Sequence, residues 1–71
     1  MNKDIIISSE FITLAQLLKF ANVIESGGQA KEFLANNTIM INNESDNRRG
    51  RKLRVGDQVI INNDLCLTLK K

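Results

Sequence analysis

The chain has 71 residues, a length that fits one domain with a thin core and leaves little room for a deep enzyme pocket. Its composition, 42% hydrophobic and 25% charged, is that of a folded protein, and the net charge is only +2. A single cysteine, Cys66, and the absence of histidine exclude an internal disulfide, a structural zinc site and catalysis by Ser–His or Cys–His pairs.

The first part of the chain predicts a strand followed by a helix. Asp4 to Ser8 contains three consecutive isoleucines, a β-branched run that predicts a short strand. Thr13 and Gln16 have the spacing of a capping box, in which each side chain bonds the backbone of the other residue. Apolar residues then recur at i, i+3, i+4 and i+7, which predicts a first helix from Thr13 to Asn22. These apolar residues are Leu14, Leu17, Leu18 and Ala21.

A second helix is predicted behind the break at residues 26–29. We expect Ser26 to cap this helix, with Gln29 three residues further on. Its apolar stripe consists of Ala30, Phe33 and Leu34. The helix is predicted to end near Asn36–Asn37, because asparagine tolerates the left-handed conformation that helix ends often adopt.

From Ile39 onward the hydrophobic pattern changes from helical to alternating, which predicts strands separated by turns. The turns are predicted at Asn42–Asn43, at Gly56–Asp57 and at 62–64. The residues predicted to face the core are Ile39, Ile41, Leu53, Val55, Val59, Ile61, Leu65, Leu67 and Leu69. This order of elements predicts an α+β fold, in which two packed helices lie against a small, mostly antiparallel sheet within one domain over 1–71.

Positive charge is concentrated in residues 48–54, here called the basic segment. Five of the ten basic residues of the chain lie there without an intervening acid, namely Arg48, Arg49, Arg51, Lys52 and Arg54. Arginine binds phosphate oxygens in a bidentate manner, and Gly50 would let the segment bend and approach a ligand. The alternative is a solvated loop that aids solubility. Five like charges in seven residues repel one another without a partner, which favours a polyanion site.

A second candidate element surrounds the start of the second helix. Its residues are Ser26, Gly27, Gly28, Gln29 and Lys31. A helix N-terminus presents free backbone N–H groups, two glycines leave space for a phosphate, and the lysine adds charge. An ordinary turn between two helices explains the same residues, and both interpretations stay open.

From Thr13 to Ile61, about two-thirds of its length, the chain resembles the S4 RNA-binding domain. The landmarks are the leucines of the first helix, the segment 26–31, the segment 39–43 and the closing segment 53–59. The Gly-Gly-x-Ala-Lys and Arg-Arg-Gly-Arg-Lys-Leu forms resemble small stand-alone bacterial members linked to ribosome assembly. Two positions depart from the family pattern: Gly27 stands where larger members often carry arginine, and Asn43 replaces a turn glycine. The resemblance implies an S4-like (alpha-L) fold that binds RNA.

Two functions follow as hypotheses. The first is a non-catalytic module that binds structured RNA in a groove between the start of the second helix and the basic segment. Ribosomal RNA, or a ribosome assembly intermediate, is implied by the resemblance alone. The second is an adaptor that docks on an acidic protein, offering the edge of a terminal strand, Ile5–Ile7 or Leu65–Leu69. Pairing of those two strands with each other is the preferred alternative.

Other classes of function find no support in the sequence. No metal cluster, cofactor motif or catalytic pair of carboxylates is recognisable, so we expect neither an enzyme nor a bound cofactor or small-molecule substrate. The apolar runs are shorter than a membrane span, and no secretory signal is recognisable at the start. We therefore expect a cytoplasmic protein without a membrane partner.

Overall fold

The computed structural model describes residues 1–71 and contains two α-helices, one 3-10 helix and seven strands. The helices are α1 (Leu14–Phe20), the 3-10 helix Gly27–Gln29 and α2 (Ala30–Asn36). The strands are β1 (Asn2–Ile6), β2 (Ile12–Thr13), β3 (Ile39–Ile41), β4 (Glu44–Ser45), β5 (Lys52–Leu53), β6 (Gln58–Ile61) and β7 (Leu65–Lys70). Each α-helix has seven residues, and none of the helices has the length and apolar character needed to cross a bilayer.

The predicted capping box starts α1. The Thr13 side-chain oxygen accepts from Gln16 N at 3.3 Å, and the Gln16 Oε1 accepts from Thr13 N at 2.8 Å. Two backbone N–H groups at the helix start are thereby satisfied, which confirms the predicted beginning. The helix ends at Phe20, two residues earlier than predicted, and Asn22 follows with a φ of 61°. The four residues of its predicted apolar face are all buried.

The start of α2 differs from the prediction. Ser26 makes no side-chain cap; it precedes a 3-10 turn rather than α2 itself, and its carbonyl accepts from Gln29 N at 3.1 Å. The Gln29 side chain instead accepts from Glu25 N at 2.6 Å. The predicted end of the helix is confirmed at Asn36. Asn37 is extended rather than left-handed, and its amide donates to the Phe33 carbonyl at 2.8 Å.

Five strands form one sheet in the order β1-β7-β6-β3-β4, and β2 pairs with β5 separately. All neighbours are antiparallel except β1 and β7, which run parallel with Ile5 opposite Leu69. The mostly antiparallel sheet of the predicted α+β class is therefore confirmed, and so is the pairing of the two terminal strands. Strand β1 lies two residues earlier than predicted and stays at the edge of the sheet.

Asparagine provides all but one of the positive-φ backbone conformations of this fold, and Gly56 provides the other. The non-glycine residues with positive φ are Asn22, Asn42, Asn43, Asn62 and Asn63. The predicted turns at 42–43 and 62–64 are thus confirmed, because two successive left-handed residues give a tight connection whose twist suits antiparallel strands. Asparagine is the side chain that tolerates this region best after glycine.

One apolar core joins the helices to the sheet. It contains 17 buried hydrophobic residues and no buried polar side chain. The alternation predicted for β3, β6 and β7 is confirmed, although Leu65 is only half-buried. The prediction for Val55 is wrong. This residue is 49% exposed, because β5 ends at Leu53 and a turn closed by Asp57 N donating to Arg54 O follows at once.

The contrast between Leu53 and Val55 gives a test of this core. Leu53 is fully buried at the point where the basic segment meets the core. We expect Leu53→Ala to lower the free energy of unfolding by about 2–5 kcal/mol, because the substitution removes buried apolar surface and leaves a residual cavity. The control Val55→Ala should change it by less than about 1 kcal/mol, because that side chain is half in solvent. Urea unfolding followed by circular dichroism measures the free energy of unfolding of both variants, and equal decreases would contradict the assignment of Leu53 to the core and Val55 to the surface.

Candidate nucleic-acid interface

Helix α1 holds the basic segment in place through the backbone. Leu14 N donates to the carbonyl of Arg51 at 2.8 Å, and Ala15 N donates to the carbonyl of Arg49 at 3.0 Å. The first N–H groups of a helix lack partners within the helix, so these two carbonyls satisfy groups that would otherwise need water. Just beyond, β5 pairs with β2, which leads directly into α1. The basic segment is therefore fixed to the start of α1.

Arg49 and Gly50 form the tip of the basic segment. Arg51 N donates to the carbonyl of Arg48 at 3.1 Å, which closes a four-residue turn with both tip residues exposed. Gly50 does not have a positive φ, and an added Cβ would meet no atom within 4 Å. The turn thus does not require glycine for its backbone conformation, although Gly50 leaves the tip unobstructed for a ligand.

An acidic residue outside the predicted site organises the arginines. The Asp46 carboxylate accepts from Arg48 Nε and Nη2 at 3.1 and 2.8 Å, and from Arg51 Nη1 at 2.8 Å. The Asp46 Oδ1 also accepts from Arg48 N at 2.9 Å. We call this arrangement the Asp46 clasp. Its only trace in the sequence is an aspartate two residues before Arg48, the spacing of a local side-chain-to-backbone bond.

The clasp lies partly under its arginines. The Asp46 side chain is 10% exposed, while those of Arg48 and Arg51 are 71% and 30% exposed. The side-chain bonds from Arg48, followed by the backbone N–H of Arg48, hold the pKa of Asp46 well below its usual range, against the opposing effect of burial. The same ion pair raises the pKa of Arg48. Asp46 is therefore a persistent negative charge within the positive surface.

The two remaining cations of the basic segment lie on a strand and a turn. Lys52 belongs to β5, and its Nζ lies 5.0 Å from the centroid of the Phe11 ring, a cation–π contact. Arg54 follows β5 and is exposed, and its backbone N–H donates to Asp57 Oδ2 at 2.9 Å. Five charges that are adjacent in sequence therefore divide into a clasped pair, one tip arginine and two cations beside β5.

The basic segment meets α2 at Lys31. A groove of about 360 Å³ is lined by Lys31, Leu34, Ala35, Asn47 and Arg49. This Lys31–Arg49 groove brings together one cation from the first turn of α2 and the cation at the tip of the basic segment. Asn47 was not among the predicted residues, and only its position in the fold identifies it.

The other predicted residues near α2 lie outside this groove. Gln29 lines a different depression, of about 350 Å³, together with Val23, Ile24 and Glu32, among others. Ser26, Gly27 and Gly28 are exposed and line neither cavity. Neither glycine has a positive φ, and an added Cβ at either would meet no atom closer than 3.8 Å. The structure therefore leaves open space at these positions without bringing them to the Lys31–Arg49 groove.

A third groove is mainly apolar. It has a volume of about 500 Å³, and the exposed side chains of Ile6, Phe11 and Phe20 line it. Phe11 connects this groove to the basic segment through its contact with Lys52. No three Cys, Asp or Glu residues converge anywhere in the chain in a way that could hold a metal ion.

The clasp should make stability depend on acid in a defined way. Because the pKa of Asp46 is lower in the folded chain, its stabilisation is present above the ordinary value of 3.8 and is lost as the pH falls below it. The difference in free energy of unfolding between wild type and Asp46→Asn should therefore be constant above that pH and shrink below it. Urea unfolding across the acidic range measures the difference, and a gap that widens in acid would contradict the clasp.

Comparison with known proteins agrees with this architecture. A sequence model of the S4 domain matches residues 5–68, which include both helices and the basic segment. The chain is also 57% identical over 61 residues to a protein of Bacillus subtilis (strain 168) named "Probable ribosome maturation protein RlbA", and the aligned region covers 86% of each chain. With the family match extending over nearly all of the fold described above, the chain belongs to the S4 domain family.

Proposed function

We propose that the chain is a non-catalytic RNA-binding protein that recognises structured ribosomal RNA or a ribosome assembly intermediate. The observation that carries the proposal is the fixed presentation of the basic segment. Its backbone is bonded to the start of α1, and Arg49 at its tip shares a groove with Lys31. Membership of the S4 domain family and the name of the Bacillus relative support the same conclusion.

Recognition would rest on the position of charge. Arg49 can present its planar guanidinium to two phosphate oxygens, while Lys31 in the same groove acts as a point charge. Because Lys31 lies on α2 and the Arg49 backbone is bonded to α1, the backbone positions that carry the two cations are set before RNA arrives. Such contacts select RNA by the geometry of its backbone rather than by base sequence. The chain has no Tyr or Trp, which leaves little surface for stacking a run of bases.

Further cations would extend the RNA-binding surface on the same module. Arg48 is largely exposed despite the clasp, and Lys52 and Arg54 are exposed beside β5. The start of the 3-10 helix, with Ser26, Gly27 and Gly28, stays a predicted secondary contact, since these residues are exposed and Ser26 makes no capping bond. Gln29 is the weakest member of this set, because its side-chain oxygen already accepts from Glu25 N.

A protein-interaction adaptor is the second candidate, and the apolar groove favours it. The exposed side chains of Ile6, Phe11 and Phe20 line one groove, and exposed apolar surface of this kind is often found at protein contact sites. The basic segment nearby would suit an acidic partner. The edge of β7 is not available to such a partner, because β1 and β6 flank it on both sides.

The Lys31–Arg49 groove yields a quantitative prediction. Lys31→Ala combined with Arg49→Ala should weaken binding to purified bacterial ribosomal RNA by about tenfold or more. The slope of log affinity against log salt should become shallower by about one for each phosphate that no longer has a cation beside it. Lys70→Ala combined with Lys71→Ala removes the same charge at the chain end and should change both quantities less. Equal effects of the two double substitutions would exclude the Lys31–Arg49 groove as the RNA-binding site.

Crosslinking in living bacterial cells tests the function itself. The tagged protein is crosslinked, and the bound RNA is sequenced beside that from the Lys31/Arg49 variant. We expect the wild type to enrich a defined region of ribosomal RNA, and the variant, with unchanged thermal unfolding, to enrich it no longer. Absence of RNA enrichment, together with a protein partner that survives nuclease treatment, would replace the RNA proposal by the adaptor.

A further inference from the structure

Asp46 joins the sheet to the basic segment. It follows β4 directly, and its backbone N–H donates to the carbonyl of Ile39 on β3 at 3.2 Å. Its side chain is turned toward the basic segment and is 10% exposed. The position of the carboxylate is therefore set by the sheet, and the arginines that bind it are held relative to the sheet as well.

The two carboxylate oxygens have different tasks. Oδ1 accepts from the backbone N–H of Arg48 at 2.9 Å, which shapes the chain entering the basic segment. Oδ2 accepts from Arg48 Nη2 and from Arg51 Nη1, both at 2.8 Å. Oδ1 also accepts from Arg48 Nε at 3.1 Å, so this oxygen holds both the backbone and the side chain of Arg48, whereas Oδ2 alone is shared by the two guanidinium groups.

This carboxylate has an electrostatic cost for an RNA-binding surface. A negative charge beside five cations lowers the attraction for every polyanion, whatever its shape. Holding two long side chains in one arrangement, by contrast, raises the affinity only for an RNA whose phosphates match that arrangement. For such an RNA the side chains are already ordered before binding, so the entropic cost of ordering them does not reduce the affinity. Arg48 can still bind a phosphate while it contacts Asp46, since its side chain is 71% exposed and its Nη1 makes no hydrogen bond within the protein.

We propose that Asp46 is a positioning residue that determines specificity: it orients Arg48 and Arg51 so that the surface prefers structured ribosomal RNA over unstructured RNA. The inference rests on the proposed function, because it assumes that this surface binds RNA. Asp46 itself does not touch the RNA. Its effect passes through the two arginines, which use their outward N–H groups on phosphates while the clasp fixes their orientation.

Asp46→Asn is a selective test of the clasp. The amide keeps one oxygen to accept from Arg48 N and Nε, so the backbone shape is preserved, while an NH₂ group replaces the oxygen that accepts from both Arg48 Nη2 and Arg51 Nη1 and fixes the two guanidinium groups relative to each other. Affinity for purified bacterial ribosomal RNA should fall by about tenfold, since two long side chains must then be ordered at binding. Affinity for poly(U) should stay equal or rise at low salt, because the net charge increases by one unit.

Two control variants separate geometry from charge. Asp64→Asn makes the same change of charge in an exposed turn, where the carboxylate makes no hydrogen bond within the protein, and should leave the preference for ribosomal RNA unchanged. Arg48→Lys keeps the charge but cannot make both the Nε and Nη2 contacts. It should reduce affinity for ribosomal RNA without raising affinity for poly(U).

The possible outcomes separate this inference from the proposed function. A fall in affinity for ribosomal RNA without a fall for poly(U) in Asp46→Asn, absent in Asp64→Asn, would establish the positioning role. Parallel changes for both RNAs, or none, would overturn that role and leave RNA binding by the wild type intact. Failure of the wild type to prefer ribosomal RNA over poly(U) would overturn the proposed function and this inference together.

Discussion

The start of α1 is the constraint on which the rest of the candidate site depends. A helix leaves its first N–H groups without intrahelical partners, and here they are satisfied from two sources. The capping box with Thr13 and Gln16 is local, whereas the carbonyls of Arg49 and Arg51 arrive from a segment far along the chain. The same bonds complete the helix and fix the basic segment, so loosening one would loosen the other.

This arrangement explains how a 71-residue chain can present several like charges without disordering the loop that carries them. The repulsion among the cations is opposed by backbone bonds to α1, by the short pairing of β2 with β5 and by the Asp46 carboxylate beneath two of the arginines. An exposed ion pair by itself adds little stability. The clasp differs because its acceptor is mostly covered and also receives a backbone N–H, so it shapes the loop as well as neutralising charge.

The first strand of the sheet pairs with its last strand in sequence. Strand β1 runs parallel to β7, with Asn2 opposite Cys66 and Ile6 opposite Lys70, and covers one edge of β7. The asparagine turns at 42–43 and 62–63 allow the antiparallel strands to follow one another with minimal connections. The core this creates is purely apolar, so the polar and charged residues are left for the surface, where the Lys31–Arg49 groove and the Asp46 clasp lie.

The sequence by itself determined the two α-helices, the longer strands and the location of the charge, because hydrophobic period, the capping box at Thr13 and the asparagine turns are local signals; the two-residue strands β2 and β4 were not predicted. It failed at Val55 and at the Ser26 cap, where a turn and a 3-10 helix changed the backbone over one or two residues. Only the tertiary structure decided which cations act together. Lys31 shares a groove with Arg49 because backbone bonds between residues distant in sequence fix the basic segment to α1. Arg48 and Arg51 are held by Asp46, which is close in sequence but whose side-chain direction is set by the folded backbone.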